Sequence, residues 1–235
     1  MVLIVSMTVL VLSAAVIVAS AWQSRQQANI PSVGSRDLAS IAAAESPTAS
    51  SRASALPSGS ATPPTAPPQP TSALSPTPSP TSRDLTAPVR VKIPRISVDT
   101  RVLPVGLDKS RALAIPSDIT KVGWYNLGVP PGADTGSAVL VAHRDGRVQG
   151  HGVFYNLGQL GVDDKVYVTT TDGTVLRYKV VSRELISKKR LPLDELFAID
   201  GPPRLTLISC GGYYDRNNGG YQDNIVVTAV PVASA

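Results

Sequence analysis

The C-terminal part of the chain, from about Pro88 onward, consists of short apolar or alternating segments separated by glycine, proline and aspartate. Seven such segments occupy residues 89–93, 100–105, 138–142, 165–170, 175–185, 205–209 and 225–230. Short segments with β-branched residues predict strands, and their regular spacing is typical of a β-barrel or sandwich. Residues 171–174, Thr-Asp-Gly-Thr, predict a tight hairpin turn between two of them. The pattern therefore predicts a mainly all-β domain.

Helical periodicity is scarce in the same region. Residues 193–198 follow Pro192, which favours the start of a helix, and they predict one or two helical turns. Residues 154–160 are a second short candidate. We therefore expect one or two short helices beside the strands.

The N-terminal segment, residues 1–22, contains no charged side chain and is dominated by Val, Leu, Ile and Ala. Its length is about that of a helix that crosses a bilayer. Ala19-Ser20-Ala21 has the small-x-small form of a signal-peptidase site. The segment is therefore predicted to be a transmembrane signal anchor or, alternatively, a cleaved signal peptide.

Residues 23–88 are rich in Pro, Ser, Thr and Ala, with prolines clustered between Pro57 and Pro80. A segment of this composition buries too little apolar surface to offset its ordering entropy, so it is predicted to be disordered. Its proline runs favour polyproline II, a semi-rigid spacer of about 3.1 Å per residue. We interpret it as a stalk that carries a folded domain, residues 89–235.

The charge of the chain is a modest positive excess, with a formal net charge of +5 at pH 7. Such an excess suits an anionic cell envelope. No pattern of basic and aromatic residues indicates nucleic-acid binding. The acids show no spaced cluster of the kind that forms a Ca²⁺ loop, so neither a metal nor another cofactor is expected.

Cys210 is the only cysteine, and it follows the predicted strand 205–209 and precedes Gly211-Gly212. We expect the strand to end there, because paired glycines interrupt a ladder. A single cysteine cannot form an internal disulfide, so the thiol is a buried apolar group, an intermolecular link or a reactive group. The two glycines leave room for a substrate backbone to approach the sulfur, which favours the reactive group.

A nucleophilic thiol needs a proton partner, and the chain has two histidines. His143 follows the apolar segment 138–142 and therefore lies where a predicted strand meets a loop. His151 lies between two glycines in a predicted flexible loop. His143 is thus the better candidate for a general acid and base.

Several sequence blocks resemble those of sortases. Residues 206–212, Thr-Leu-Ile-Ser-Cys-Gly-Gly, are similar to the Thr-Leu-x-Thr-Cys signature, with Ser209 where threonine is usual. Residues 142–144 resemble the Gly-His block, and residues 93–96, 104–107 and 122–125 resemble the N-terminal strands. Residues 221–227 resemble the segment that closes the site in class F sortases. The chain is most similar to actinobacterial class E and class F enzymes, over nearly all of residues 89–235.

The resemblance implies an eight-stranded β-barrel with a His-Cys-Arg site and no cofactor. Such enzymes cleave a Leu-Pro-x-Thr-Gly or Leu-Ala-x-Thr-Gly sorting signal between Thr and Gly through a thioacyl-enzyme, which an amine of a peptidoglycan precursor resolves. Cys210 then corresponds to the nucleophile and His143 to the acid and base. The resemblance also implies a monomer at the cell membrane, held by a single span, with its catalytic domain outside the cell and facing the wall.

The sequence departs from the family at the catalytic arginine. In class F sortases this arginine stands immediately before an Asp-Asn pair, and here that position is Gln222. Arg216, in the same predicted loop, has the reach to restore the positive charge. Alternatively, Gln222 could donate a neutral hydrogen bond to the oxyanion. Both candidates stay open.

The same departure allows an alternative function, a sortase-fold binding module on the cell surface that is catalytically weak or inactive. Other cysteine enzymes of the cell wall match less well. L,D-transpeptidases carry a Ser-His-Gly-Cys block that this chain lacks, and papain-like peptidases place the cysteine before the histidine, whereas here His143 precedes Cys210.

Overall fold

The computed structural model describes residues 31–35 and 87–232. Its strands are β1 Val33–Gly34, β2 Pro88–Ile93, β3 Val98–Val105, β4 Val122–Tyr125, β5 Ser137–Val141, β6 Asp145–Gly146, β7 Gly150–His151, β8 Lys165–Thr170, β9 Val175–Ser187, β10 Arg204–Asp215 and β11 Gly220–Pro231. The α-helix of the described part is α1, Leu193–Leu196. Short 3₁₀ turns occupy Pro94–Ile96, Leu157–Gln159, Lys188–Arg190 and Arg216–Asn218.

Eight strands close into a barrel in the order β9-β11-β10-β5-β4-β3-β2-β8, and β8 pairs back with β9. The pairs β10–β5 and β3–β4 are parallel, and the other pairs in the barrel are antiparallel. The predicted all-β, eight-stranded barrel with few helices is therefore confirmed.

Side chains alternate between the barrel interior and an outer apolar cluster. In β10, Leu205 and Leu207 belong to the interior core, whereas Ile208 packs outside with Val226 and Leu196 of α1. All five residues of β5 are buried, because α1 and its flanking segment cover the outer face. This two-sided burial explains why residues 138–142 are continuously apolar.

Local predictions agree with the structure in part. The Asp-Gly turn joins β8 to β9, with Gly173 at φ +84°. The helix predicted over residues 193–198 is the shorter α1, and the candidate over residues 154–160 contains only the 3₁₀ turn Leu157–Gln159.

The strand that carries Cys210 does not end at the glycines, so that prediction is wrong. β10 continues to Asp215, and its register with β11 shifts between Gly211 and Tyr214. Gly212 adopts φ +73°, a conformation that glycine reaches without steric strain. The glycines therefore form a β-bulge, which bends the strand and keeps its pairing beyond the bulge.

Part of the predicted stalk is paired with the barrel. Val33 pairs with Arg183 of β9, and a Cβ on Gly34 would lie 1.9 Å from the carbonyl oxygen of Val181. The Arg183 guanidinium donates to the carbonyl of Pro31 at 2.6 Å. β8 pairs only with residues 175–179 of β9. β1 therefore provides a pairing partner for part of the β9 edge beyond those residues.

The remaining predictions for the N-terminal region lie outside the described residues. These are the anchor or signal peptide over residues 1–22 and most of the stalk over residues 23–88. Within residues 31–35 and 87–232, no helix has both the length and the apolar character that a membrane span requires.

Candidate functional site

The parallel pairing of β5 and β10 brings Cys210 and His143 together. Val141 of β5 is in register with Ile208 of β10. The backbone N–H of Ala142 donates to the carbonyl of Ile208 at 3.2 Å, so the pairing persists where β5 ends. Continued by two residues on each strand, this register places His143 beside Cys210. The two residues predicted to carry the chemistry are therefore neighbours at one rim of the barrel.

Ser209, which replaces the usual threonine, ties these two strand ends together. Its hydroxyl is buried and donates to the carbonyl of Ala142 at 2.9 Å. This bond joins the residue before Cys210 to the residue before His143. A serine hydroxyl is therefore sufficient for the contact, and the replacement leaves the strand junction intact.

Alternation places the thiol on the outer face of the barrel. Ile208 and Val141 belong to the outer apolar cluster, and residues two positions apart on a strand share a face. Cys210 thus faces outward, whereas His143 lies two residues beyond the end of β5 and is half-buried. Asn224 is opposite Cys210 in the antiparallel pair β10–β11 and shares its face.

A cavity of about 900 Å³ opens on this face, and Cys210 and Asn224 line it. Its other walls come from the β3–β4 connection and from the segment around α1. The apolar lining includes Leu113, Ile115, Tyr125, Leu191, Leu196 and Phe197. Charged groups in the lining are Arg111, Lys188, Asp194 and Asp200. The thiol therefore opens onto a mainly apolar cavity large enough for several residues of an extended peptide.

The loop after His143 is held by backbone bonds that require a glycine. The carbonyl of His143 accepts from the N–H of Phe154 at 3.1 Å, and the N–H of Gly152 donates to the carbonyl of Arg144 at 2.7 Å. A Cβ on Gly152 would lie 2.4 Å from the carbonyl oxygen of His143. The glycine that follows His151 is therefore needed to hold the loop of His143.

A polar and aromatic cluster joins the same loop to β11. Arg144 is 3% exposed, with its guanidinium carbon 5.5 Å from the ring centroid of Tyr155 and 5.2 Å from that of Tyr221. The Tyr221 hydroxyl donates to Asp145 at 2.5 Å. Burial, and then the bond to Asp145, raises the pKa of Tyr221 to about 12. His151 stacks on Tyr155 with ring centroids 3.5 Å apart, so in this structure it packs against an aromatic ring.

Neither candidate for the arginine role lines the cavity as the structure describes it, and His143 is not among its lining residues either. Arg216 is exposed in the 3₁₀ turn at the tip of the β10–β11 hairpin. The Gln222 amide donates to the carbonyls of Asn218 and Gly220, at 2.7 Å each, and its oxygen accepts from Asn218 at 3.0 Å. The Gln222 side chain therefore stabilises the hairpin loop in this structure. The choice between Arg216 and Gln222 stays a prediction.

Sequence reasoning missed Asn224 and Lys188 as cavity residues. Asn224 precedes a predicted strand, and alternation backward from Val226 would have placed it on the outer face. Lys188 lies beyond β9, and only the pairing of β9 with β11 brings it to the same cavity.

Within residues 31–35 and 87–232, no group of three or more His, Cys, Asp or Glu residues could hold a metal ion.

Comparison with known proteins identifies the family. The family model for the sortase domain matches residues 91–232, more than half of the chain. The chain belongs to the sortase family. Sortases are in general cysteine transpeptidases of the cell surface, which join proteins that bear a sorting signal to an amine nucleophile. No curated protein sequence gives a significant match.

Solved sortase structures are similar to the chain at low sequence identity. The lid mutant of sortase A from Corynebacterium diphtheriae is 20% identical, with 66% of this chain and 75% of that chain covered and a TM-score of 0.50. Sortase C1 of GBS Pilus Island 1 is 24% identical, with 63% and 64% covered and a TM-score of 0.49. Sortase C-1 from Actinomyces oris is 26% identical, with 62% and 74% covered and a TM-score of 0.48.

The similarity to the sortase A structure from Corynebacterium diphtheriae, at 20% identity, supports the fold alone. The chain spans less than two thirds of the length of the GBS sortase C1 structure. These structures are of class A and class C sortases, so the similarity to class E and class F stays a prediction.

Proposed function

We propose that the protein is a sortase transpeptidase in which Cys210 is the nucleophile and His143 the general acid and base. The observation that carries the proposal is the parallel register of β5 and β10, which makes these two residues neighbours at the rim. The thiol also lines a cavity whose walls are mainly apolar, as a peptide with Leu and Pro or Ala side chains requires.

The chemistry follows two steps at one carbonyl. The Cys210 thiolate attacks the threonine carbonyl of a Leu-Pro-x-Thr-Gly or Leu-Ala-x-Thr-Gly signal and forms a tetrahedral oxyanion. As the C–N bond breaks, His143 gives its proton to the glycine amine, which leaves, and a thioester on Cys210 remains. An incoming amine then attacks the thioester, His143 takes its proton, and the thiolate leaves with an amide formed.

The acceptor in this proposal is an amine of a peptidoglycan precursor, and the substrates are surface proteins with a sorting signal. In this proposal residues 1–22 hold the protein to the membrane by a single span. Because residues 33–34 pair with β9, the spacer between membrane and barrel is the part of the predicted stalk before β1. The domain acts as a monomer outside the cell. The apolar cavity favours amine transfer over hydrolysis, because it shields the thioester from water.

A second candidate function is a sortase-fold binding module with weak or no catalysis. The observation that favours it is Gln222, which occupies the arginine position and uses its amide within the hairpin loop. Such a module would bind the sorting-signal peptide in the same cavity and leave it uncleaved.

One experiment separates the two functions. The full chain is incubated with each sorting-signal peptide, with and without an amine acceptor, and examined by mass spectrometry. A thioacyl adduct that is absent in Cys210→Ala, and that the amine resolves to a new amide, supports the enzyme. Peptide binding without an adduct supports the module.

The same assay tests the acid and base. His143→Ala should abolish turnover while the fold, measured by circular dichroism, is kept. His151→Ala is the matched control and should retain activity, because His151 stacks on Tyr155 in the neighbouring hairpin. Turnover by His143→Ala would refute the assignment.

The two arginine candidates are ranked in the same way. If Arg216 supplies the charge, Arg216→Ala should fall far below Gln222→Ala in rate. The reverse ranking would assign the role to Gln222.

A further inference from the structure

The oxyanion of the proposed reaction needs a hydrogen-bond donor and positive charge, which an arginine supplies in the family pattern. We infer that two cavity residues share this task here: Asn224 donates the hydrogen bond, and Lys188 supplies the charge. The inference rests on the proposed function, because it concerns the same carbonyl at Cys210. It differs from the sequence-based candidates Arg216 and Gln222, which do not line the cavity in the described structure.

Asn224 is the residue directly across from Cys210. The two are paired in the antiparallel ladder β10–β11, and the Cβ atoms of such a pair lie about 4.5–5.5 Å apart. Both side chains line the cavity, and Asn224 is half-buried. Its carboxamide carries two N–H donors, and the structure shows no hydrogen bond from this side chain to any described residue. The donors are therefore available to an oxygen that forms on a substrate carbon bound to the sulfur.

Lys188 lies just beyond the end of β9, the strand on the other side of β11 from Cys210. In the β9–β11 pair, Ile186 is opposite Asn224 and Ser187 is opposite Asp223, so Lys188 follows directly. Ile186 packs against the outer cluster, and Lys188 begins the 3₁₀ turn that follows two residues later. Lys188 lines the same cavity, and no ion pair joins its ammonium to the described residues.

Relative to the family pattern, this arrangement moves the positive charge from β11 to the turn that follows the neighbouring strand β9. β9 and β10 are two strand spacings apart, about 10 Å, with β11 and its Asn224 between them. The flexible stem of Lys188 lets its ammonium approach the substrate, although its exposure means that salt screens the charge. A neutral amide beside the sulfur and a screened cation farther away are together a weaker oxyanion site than one guanidinium. We therefore expect Asn224 to contribute more than Lys188.

The test is steady-state kinetics of the full chain with a sorting-signal peptide and an amine acceptor. Removing one oxyanion donor lowers kcat by about 10²–10³-fold, and Asn224→Ala should do so with KM nearly unchanged. Asn224→Asp keeps the shape, removes the donors and adds a negative charge, so it should be at least as slow. It also keeps the test decisive if Asn224→Ala folds poorly.

The charge is tested separately. Lys188→Met should lower kcat by about tenfold, with a smaller difference at high salt, and Lys188→Arg should restore most of the rate. Lys189→Met is the matched control, since it removes the same charge one residue later, at a position that does not line the cavity. It should leave kcat unchanged.

Each outcome decides the inference. A wild-type chain that turns over while Asn224→Ala matches its kcat overturns the inference and leaves the proposed function intact. Equal loss in the Lys188 and Lys189 variants overturns the specific role of Lys188. A loss confined to Arg111→Ala, Arg216→Ala or Gln222→Ala overturns the inference and assigns the donor there. A wild-type chain that forms no thioacyl adduct overturns both the function and the inference.

Discussion

The contact between Tyr221 and Asp145 offers a sharp test of how the His143 loop is held to β11. Tyr221→Phe removes one hydroxyl, which donates to Asp145 at 2.5 Å. It keeps the ring, whose edge-to-face contact with Tyr214 has centroids 5.0 Å apart. The ring also keeps its contact with Arg144 at 5.2 Å. The variant therefore removes the bond to Asp145 together with the weaker interaction of the same hydroxyl with Arg144, and the double-mutant cycle with Asp145 separates the two.

The expected loss is about 1.5 kcal/mol in the free energy of unfolding. A hydrogen bond to a charged group contributes about 1.5–3 kcal/mol. Tyr221 and Asp145 are both half-buried, so water replaces part of the bond in the variant and the lower end of the range applies. For a domain of this size, that loss corresponds to a fall in Tm of about 3–6 °C.

Urea denaturation followed by tryptophan fluorescence measures this loss. The midpoint should fall and the slope m should stay constant, since the surface exposed on unfolding does not change. Tyr214→Phe is the matched control: it removes the same atom from a ring that is 46% exposed and whose hydroxyl bonds to no described residue. Its effect should stay within about 0.5 kcal/mol.

Equal stability of the Tyr221→Phe and Tyr214→Phe variants would refute this reasoning. A double-mutant cycle with Asp145→Ala checks the assignment of the partner. If the Tyr221 hydroxyl acts through Asp145, the two changes should be coupled by about 1 kcal/mol, and purely additive losses would point to a different origin.

Three further predictions concern the barrel and the bulge beside the nucleophile. Burial raises the pKa of Tyr178 to about 12, above an unfolded value near 10. The contribution of the neutral phenol to the free energy of unfolding is therefore complete below pH 10 and is lost as the pH rises through 12. Urea midpoints between pH 9 and 11.5 should accordingly fall less in Tyr178→Phe than in wild type. Phe154 is fully buried, and Phe154→Ala should lower the free energy of unfolding by about 3–5 kcal/mol, whereas a loss below about 1 kcal/mol would contradict its packing. Gly212→Ala should lower the free energy of unfolding more than Gly173→Ala in the same assay. Both glycines have positive φ, but only at Gly212 would the added Cβ meet another atom, Asp223 Oδ2 at 1.9 Å.

The strands could be predicted where a local pattern determines them. The segment Lys165–Thr170 was predicted with the bounds that β8 has, because one buried face gives alternation and an Asp-Gly turn ends the strand. β4 gave no such pattern, since it has four residues and a glycine among them. Gly123 is required there by close packing: its Cβ would lie 2.9 Å from Pro116 and 3.0 Å from Val105. Such a contact depends on the tertiary structure.

The glycines after Cys210 show why the end of a strand is hard to predict. Paired glycines predict a break, because they weaken a strand locally. Here β11 continues to pair with β10 past them, from Tyr214↔Tyr221 to Asp215↔Gly220. A bulge is a relation between two strands, so one segment of sequence does not distinguish it from a turn.

The residues of the candidate site also differ in whether a local sequence pattern or the pairing of strands determines their position. The sequence placed Cys210 and His143 each at the end of an apolar segment, which a local pattern is sufficient to do. It did not place them together, because their proximity depends on which strands pair. Asn224 and Lys188 depend on pairing even more, since they reach the cavity only through the order β9-β11-β10.

The parallel pair β5–β10 accounts for the site as a whole. In a parallel pair the two C-terminal ends lie at the same rim, whereas an antiparallel pair would separate His143 from Cys210 by the length of a strand. Parallel neighbours require a long crossover connection, and here it contains β9 and α1. Leu196 of α1 covers β5 and lines the cavity, and Lys188 comes from the end of β9. The connection that makes the parallel pair possible thus also builds the cavity wall and carries the charge that we assign to the oxyanion.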